Sequence, residues 1–341
     1  MKQDMQVWKQ SLMDGSCRKP LPILSFPCVQ KLGVSVRELV SSAQLQSEGI
    51  REVARQIPAA AAVSLMDLSV EAEAFGAAVR MNESEVPTVL GALITEPEEA
   101  ENLQVPPVGA GRTGLCVEAI EKAAAAISDR PVLAGVIGPF SLAGRLLEVS
   151  EAMILCYDEP EMVHTVLEKA TEFLISYCLA FRQAGANGVV LAEPLAGLLS
   201  PAMAREFSHT YVRQLTQAVQ SEDFLVIYHN CGDHVTKMTK DIYALGCDGY
   251  HFGDAIDLSA MLPDAPEGVL VMGNVSPAGE FLGGTPDSIR AATRQVLSAC
   301  AHHKGFVLSS GCDIPPAAPW ENIHAFFRAA EEFYAQGGNP L

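Results

Sequence analysis

The chain is poor in basic residues: 23 lysines and arginines stand against 41 aspartates and glutamates, for a formal net charge of −18. That deficit argues against a nucleic-acid-binding surface, where cations must be laid along phosphates, and against adhesion to anionic membranes. Long apolar runs are missing as well. No stretch approaches the roughly 18 apolar residues of a membrane span, and the opening MKQDMQVWKQ lacks the continuous apolar core of a secretion signal. The expectation is a cytoplasmic protein. The nine cysteines are odd in number and scattered, with neither disulfide-framework nor zinc-finger spacing, which fits reduced thiols serving mostly as small buried hydrophobes. Low-complexity linkers and internal repeats are absent too. With 341 residues, 49% of them hydrophobic, the chain can bury a large core, and it reads as one domain over residues 1–341.

Short segments rich in Val, Ile and Leu alternate with longer helical patterns. The strand candidates are LPILSF (21–26), AAVSLMDL (61–68), PVLAGVIGP (131–139), GVVLAEP (188–194), FLVIYHN (224–230), GYHFGD (249–254), VLVMGNV (269–275) and FVLSSGCD (306–313). Between them lie stretches with apolar residues near helical spacing, among them TGLCVEAIEKAAAAIS, EMVHTVLEKATEFLISYCLAFRQAG, PAMAREFSHTYVRQLTQAVQS and PDSIRAATRQVLSACAHH. Strand followed by helix, repeated eight times, predicts an α/β chain with a parallel sheet. The count fits a single (β/α)8 TIM barrel with an N-terminal extension, although an open doubly wound sheet gives the same local patterns. Residues 71–111 are long for one loop and predict an insertion with short helices after the second strand, beside the barrel mouth.

The stretch VIYHNCGDH (226–234) ends an apolar strand in an imidazole and a thiol. Side chains at i and i+2 of a strand share a face, with Cα atoms about 6.5 to 7 Å apart, so His229 and Cys231 project together from the end of the fifth predicted strand. In barrel enzymes that end carries the chemistry. Cys312, in SSGCDIPP at the same end of the eighth predicted strand, can reach the same mouth. One imidazole and two thiolates form a zinc set, and three protein ligands leave a coordination place for substrate. The bland alternative for each cysteine is core filler. His251, in GYHFGD, competes as a mouth histidine, whereas His164, His209, His234, His302, His303 and His324 fall in helical or loop patterns that suit surface or capping roles.

Other strand ends add polar groups that a core does not need. Asp67 ends LMDL, Glu193 ends LAEP and Asn274 lies in GNVSP. Asp67 and Asn274 suit a pocket or, equally, a helix cap or turn. Glu193 is harder to dismiss: a carboxylate in an apolar strand before Pro194 is costly unless paired, and zinc would supply the partner as a fourth ligand. Asn230, Asp233 and Asp313 adjoin the ligands and are placed to orient them. Gly109, Gly111 and Gly114 spell GxGxxG in VGAGRTG, but no clear strand precedes them, so a flexible loop is preferred to a dinucleotide site.

Together LMDLSVEAEAFGA (65–77), GVIGPFSLA (135–143), GVVLAEPLAGLLSP (188–201), YHNCGD (228–233) and SSGCDIPPAAPWENI (309–323) resemble the uroporphyrinogen decarboxylase superfamily. More narrowly they resemble its cobalamin-dependent methyltransferase branch, typified by methylcobalamin:coenzyme M methyltransferases. The resemblance implies a (β/α)8 barrel with Zn2+ on His229, Cys231 and Cys312, and methylcobalamin or another corrinoid as co-substrate. The methyl acceptor it implies is a thiol such as coenzyme M. No DxHxxG-type corrinoid-binding motif is present, so the corrinoid would arrive on a carrier protein as partner. Transfer in the opposite sense, from a methoxylated aromatic, methylamine or halide, and tetrahydrofolate as acceptor remain open alternatives. The true decarboxylase carries an arginine-rich motif of the RQAGR type near its N-terminus. Here SLMDGSCRKPLPILSFPCVQ offers only Arg18 and Lys19 before the first predicted strand, which disfavours that activity although Asp67 matches the family's aspartate.

Overall fold

The computed structural model describes residues 3–337. Seven strands form one parallel sheet whose spatial order follows the chain: β1 (Ala62–Val63), β2 (Val132–Ile137), β3 (Gly188–Ala192), β4 (Leu225–Asn230), β5 (Gly249–Phe252), β6 (Leu270–Val275) and β7 (Phe306–Ser310). Helices cover its outer face, including Thr113–Ala126 before β2, Pro160–Gln183 before β3, Thr210–Val219 before β4, Pro286–Cys300 before β7 and Trp320–Ala335 after it. The curled parallel sheet with its helical coat is the arrangement of a TIM barrel.

The first predicted strand is a correction. Residues 21–26 form no regular strand, yet they occupy the seam between the two edges of the sheet: Leu21 N–H donates to the carbonyl of Leu308 in β7, and Ala60 N–H, just before β1, donates to the carbonyl of Pro20. The physical reason is Pro20 and Pro22, which have no N–H to offer a ladder. The segment closes the seam with isolated bonds instead. Residues 71–111 hold most of the short helix Val70–Ala74, the helix Pro97–Asn102 and an antiparallel hairpin of Val79–Arg80 and Thr88–Val89 that the residue pattern does not announce.

Two apolar layers sandwich the sheet. Leu133, Val190, Ala192, Ile227, Leu270, Met272 and Val307 point inward and plug the barrel with Leu21, Ile23 and Met66, while Val132, Val189, Val226, Tyr228, Tyr250 and Leu308 pack under the helices. The strict alternation along each strand decides which groups stand above the plug. In β4 the inward series runs Ile227, His229 and then, past the strand end, Cys231, so polar groups emerge above the apolar layer at the C-terminal end of the sheet.

His209 departs from its expected surface role. It ends a π-helical turn, Arg205–His209, is 2% exposed, and neither ring nitrogen has a hydrogen-bond partner among the described residues. Burial pulls its pKa from 6.5 down to about 4, against the opposing pull of Asp241. Between those values the unfolded chain binds a proton that the folded chain refuses, so stability falls as pH drops from 6.5 towards 4, by about 3 kcal/mol for this one ring. Denaturant titrations at pH 7 and pH 4.5 are expected to show this loss, and His209→Leu should flatten that part of the pH dependence.

Candidate metal centre

His229 is next to last in β4, and its lateral partners in the parallel ladders are Ala192 on one side and His251 on the other. Asn230 then points outward, where its amide donates to the Glu193 carbonyl (3.0 Å) and the Tyr228 hydroxyl (3.0 Å), and its Oδ1 accepts from Gly232 N–H (2.9 Å). Those bonds set the turn that brings Cys231 round to the inner face. Gly253, past the end of β5, lies so close that a Cβ there would sit 2.5 Å from the Cys231 Cα, so only glycine leaves room for the thiol's backbone. Cys312 comes two residues after the end of β7, past Gly311.

These elements bring ligand atoms of His229, Cys231 and Cys312 within 4.8 Å of one another, the one such group of three among the described residues. His229 Nε2 is 3.4 Å from Cys312 Sγ. A tetrahedral ion with Zn–S near 2.3 Å and Zn–N near 2.05 Å separates its nitrogen and sulfur ligands by about 3.6 Å, so the side chains already stand close to the spacing that zinc requires. One imidazole and two thiols suit zinc, and three protein ligands would leave it a fourth coordination place. Hydrogen bonding with Cys312 lowers the Cys231 pKa against the effect of burial, and hydrogen bonding with Cys231 together with burial raises that of Cys312.

His251 lies beneath the ligands. Its Nδ1 is 2.8 Å from His229 Nδ1, the rings meet edge to face, and its Nε2 is 2.7 Å from Ser309 Oγ. Burial and then the neighbouring His229 hold it far below the ordinary histidine pKa, hence neutral. At 1% exposure it is shut off from solvent.

Glu193 does not join the three ligands. Its carboxylate, wholly buried, accepts from the N–H groups of Phe140 and Ser141 (2.8 Å each) and from the Ser208 hydroxyl (2.9 Å). Burial raises its pKa and these bonds offset the rise. It caps the positive end of helix Pro139–Leu147. Gly138 supplies the matching space, since a Cβ there would lie 2.4 Å from Glu193 Oε2.

Asp67 is likewise committed: Oδ1 accepts from Ser69 N–H (3.1 Å) and Ser69 Oγ (2.6 Å), and Oδ2 accepts from Arg112. The Arg112 guanidinium, 7% exposed, also donates to Glu73 (2.6 Å) and Ser69 (2.8 Å). Arg112, which no local pattern marks, sits inside the GRTG of the glycine-rich loop, whose role is therefore to carry this clamp. Asn274 lines a cavity with Ile256, Val275 and Ser276, and its amide donates to the carbonyls of Gly253 and Ile256 (2.9 Å each), which pins the loop packed on Cys231. Asp233 orients no ligand: its side chain is 68% exposed and stands 3.7 Å from His234. Asp313 stays by the site, with a buried Oδ1 that has no hydrogen-bond partner among the described residues and a pKa pushed well upward by burial and then by the charge of Asp67.

The family profile of uroporphyrinogen decarboxylase matches residues 23–333. The uroporphyrinogen decarboxylase of Coxiella burnetii is 28% identical over 314 residues, covering 87% of this chain and 84% of that protein. A methylcobamide:CoM methyltransferase, MtbA of Methanosarcina acetivorans, is 25% identical over 271 residues, covering 78% of each. The solved structure of a methyltransferase from Methanosarcina mazei superposes with a TM-score of 0.85 at 25% identity, covering 97% of this chain and 99% of that one. Matching that profile across nearly its whole length, the chain belongs to the uroporphyrinogen decarboxylase family.

Proposed function

We propose that this chain is a zinc-dependent methyltransferase that moves a methyl group from a corrinoid, presented by a carrier protein, to a small thiol such as coenzyme M. The observation that supports this reading is the convergence of one imidazole nitrogen and two thiols at the C-terminal ends of the strands. Zinc held by His229, Cys231 and Cys312 would keep a coordination place open and ionise a thiol brought to it, supplying a sulfur nucleophile at neutral pH. The two cysteine sulfurs bring negative charge, which leaves electron density on a substrate sulfur. That suits an attacking thiolate better than activation of a methoxylated aromatic, methylamine or halide. The substrate thiolate would then take the methyl group: a carbon–sulfur bond would form as the carbon–cobalt bond breaks, with the bonding pair left on the departing corrinoid as Co(I).

The decarboxylase reading has a named relative in its favour. Against it stands Arg112, whose guanidinium is bound by Asp67, Glu73 and Ser69 and is not free to meet the carboxylates of a tetrapyrrole. The test is incubation of the zinc-loaded protein with free methylcobalamin and a panel of thiols, monitored by absorbance. Cob(I)alamin is expected with the correct thiol alone. Silence with every thiol, together with methylation of cob(I)alamin by a methyl ether, amine or halide, would reverse the direction; carbon dioxide released from uroporphyrinogen would restore the decarboxylase.

A further inference from the structure

Behind the three ligands runs a buried line of hydrogen bonds that ends on the seam of the barrel. His229 Nδ1 meets His251 Nδ1 at 2.8 Å, His251 Nε2 meets Ser309 Oγ at 2.7 Å, and Ser309 Oγ meets the carbonyl oxygen of Leu21 at 2.7 Å. These four residues are between 0 and 2% exposed. They come from four separate segments: β4, β5, β7 and the proline-flanked stretch that closes the sheet.

The direction of the line is set by its last member. A carbonyl oxygen only accepts, so the single hydroxyl proton of Ser309 is given to Leu21. Ser309 must then accept from His251, whose proton is on Nε2. A neutral His251 with that proton has a bare Nδ1, which accepts from His229 Nδ1–H. A neutral His229 then carries its lone pair on Nε2, the atom that stands 3.4 Å from Cys312 Sγ among the ligand group. Each step leaves one arrangement for the next, and the reverse polarity would place two protons between two nitrogens or leave the carbonyl facing a lone pair.

We propose that His251 and Ser309 are positioning residues for the metal centre: anchored on the Leu21 carbonyl, they fix His229 in the Nδ1–H tautomer and aim its bare Nε2 at the ligand position before any metal arrives. This deepens the zinc reading and rests on it. It also gives the closing segment a task, because the barrel seam at Leu21 and the orientation of His229 become one hydrogen-bonded unit. Any gain in metal affinity from that unit is matched by an equal stabilisation of the seam when metal binds.

The experiment uses the full chain, with histidine rings labelled with nitrogen-15, and Ser309→Ala and Ser309→Thr. In the metal-free wild type, nitrogen NMR is expected to show His229 protonated at Nδ1 and His251 protonated at Nε2, a result that needs no variant to fold. Competition with a chromogenic chelator is expected to show zinc affinity reduced about 10- to 100-fold in Ser309→Ala, the range that ligand-orienting partners command, and restored in Ser309→Thr. The cobalt(II) form of Ser309→Ala should keep its thiolate charge-transfer band, showing the same ligands on a looser site. His229 protonated at Nε2 in the metal-free protein, or Ser309→Ala binding zinc as the wild type does, would overturn the proposal. A wild type that binds no zinc would overturn the metal reading instead, and the tautomers would still decide the hydrogen-bonded line.

Discussion

Replacing Cys312 with serine is expected to remove zinc and methyl transfer together while the barrel remains folded. The side chain is one of the three proposed ligands, and a serine hydroxyl, un-ionised at neutral pH and hard where the thiolate is soft, cannot take its place. Loss of partners that merely orient ligands costs about 10- to 100-fold in metal affinity, so loss of a ligand should exceed the upper end of that range, and zinc should be absent after ordinary purification. The fold should survive because Cys312 lies past the end of β7, above the plug of Val307, Met272 and Ile227, and forms no part of either apolar layer. Metal analysis with circular dichroism checks both halves. Zinc retained at one per chain in Cys312→Ser would remove Cys312 from the ligand set and with it the proposed nucleophile activation.

What makes the convergence of these three side chains legible in the sequence is the period of a strand. His229 and Cys231, two apart after an apolar run, must share a face whatever the surrounding fold, and two strand ends of a parallel barrel open on one mouth, which brings in Cys312. Where pattern and structure part, the deciding partner is a backbone group or a residue remote in sequence. Glu193 reads as a carboxylate in need of a cation, yet its need is met by the N–H groups of Phe140 and Ser141, at the start of a helix absent from the predicted set. The signal is present in GPFSLA: Gly138, without a Cβ, makes room for the carboxylate, and Pro139 starts the helix. The apolar content of LPILSF rightly makes it buried, but Pro20 and Pro22 forbid the ladder that would make it a strand. Asp67 and Asn274 do stand at strand ends, and their use as clamps depends on Arg112 and on the Gly253 and Ile256 carbonyls, which no local pattern announces. Ser309 is the plainest case. Within FVLSS it reads as strand filler, and only the register of β5, β6 and β7, with His251 beside Met272, Met272 beside Val307 and Asn274 beside Ser309, places its hydroxyl under His251.

Glu193→Ala separates the two roles open to that carboxylate. If it is a helix cap, its removal leaves two backbone N–H groups and the Ser208 hydroxyl buried without an acceptor, since Glu193 is fully buried and no solvent reaches the gap. Each orphaned group costs about 1 to 3 kcal/mol, so the urea midpoint should fall steeply and the helix Pro139–Leu147 should lose protection against hydrogen exchange. Glu193→Gln should lie between, because one amide oxygen can still accept while the amide nitrogen faces donors. Zinc stoichiometry in the folded fraction should stay unchanged in both variants, for the ligand atoms of His229, Cys231 and Cys312 have no contact with this carboxylate to lose. The opposite pattern, near-wild-type stability with weakened zinc, would return Glu193 to the metal and require the helix to find its acceptor elsewhere.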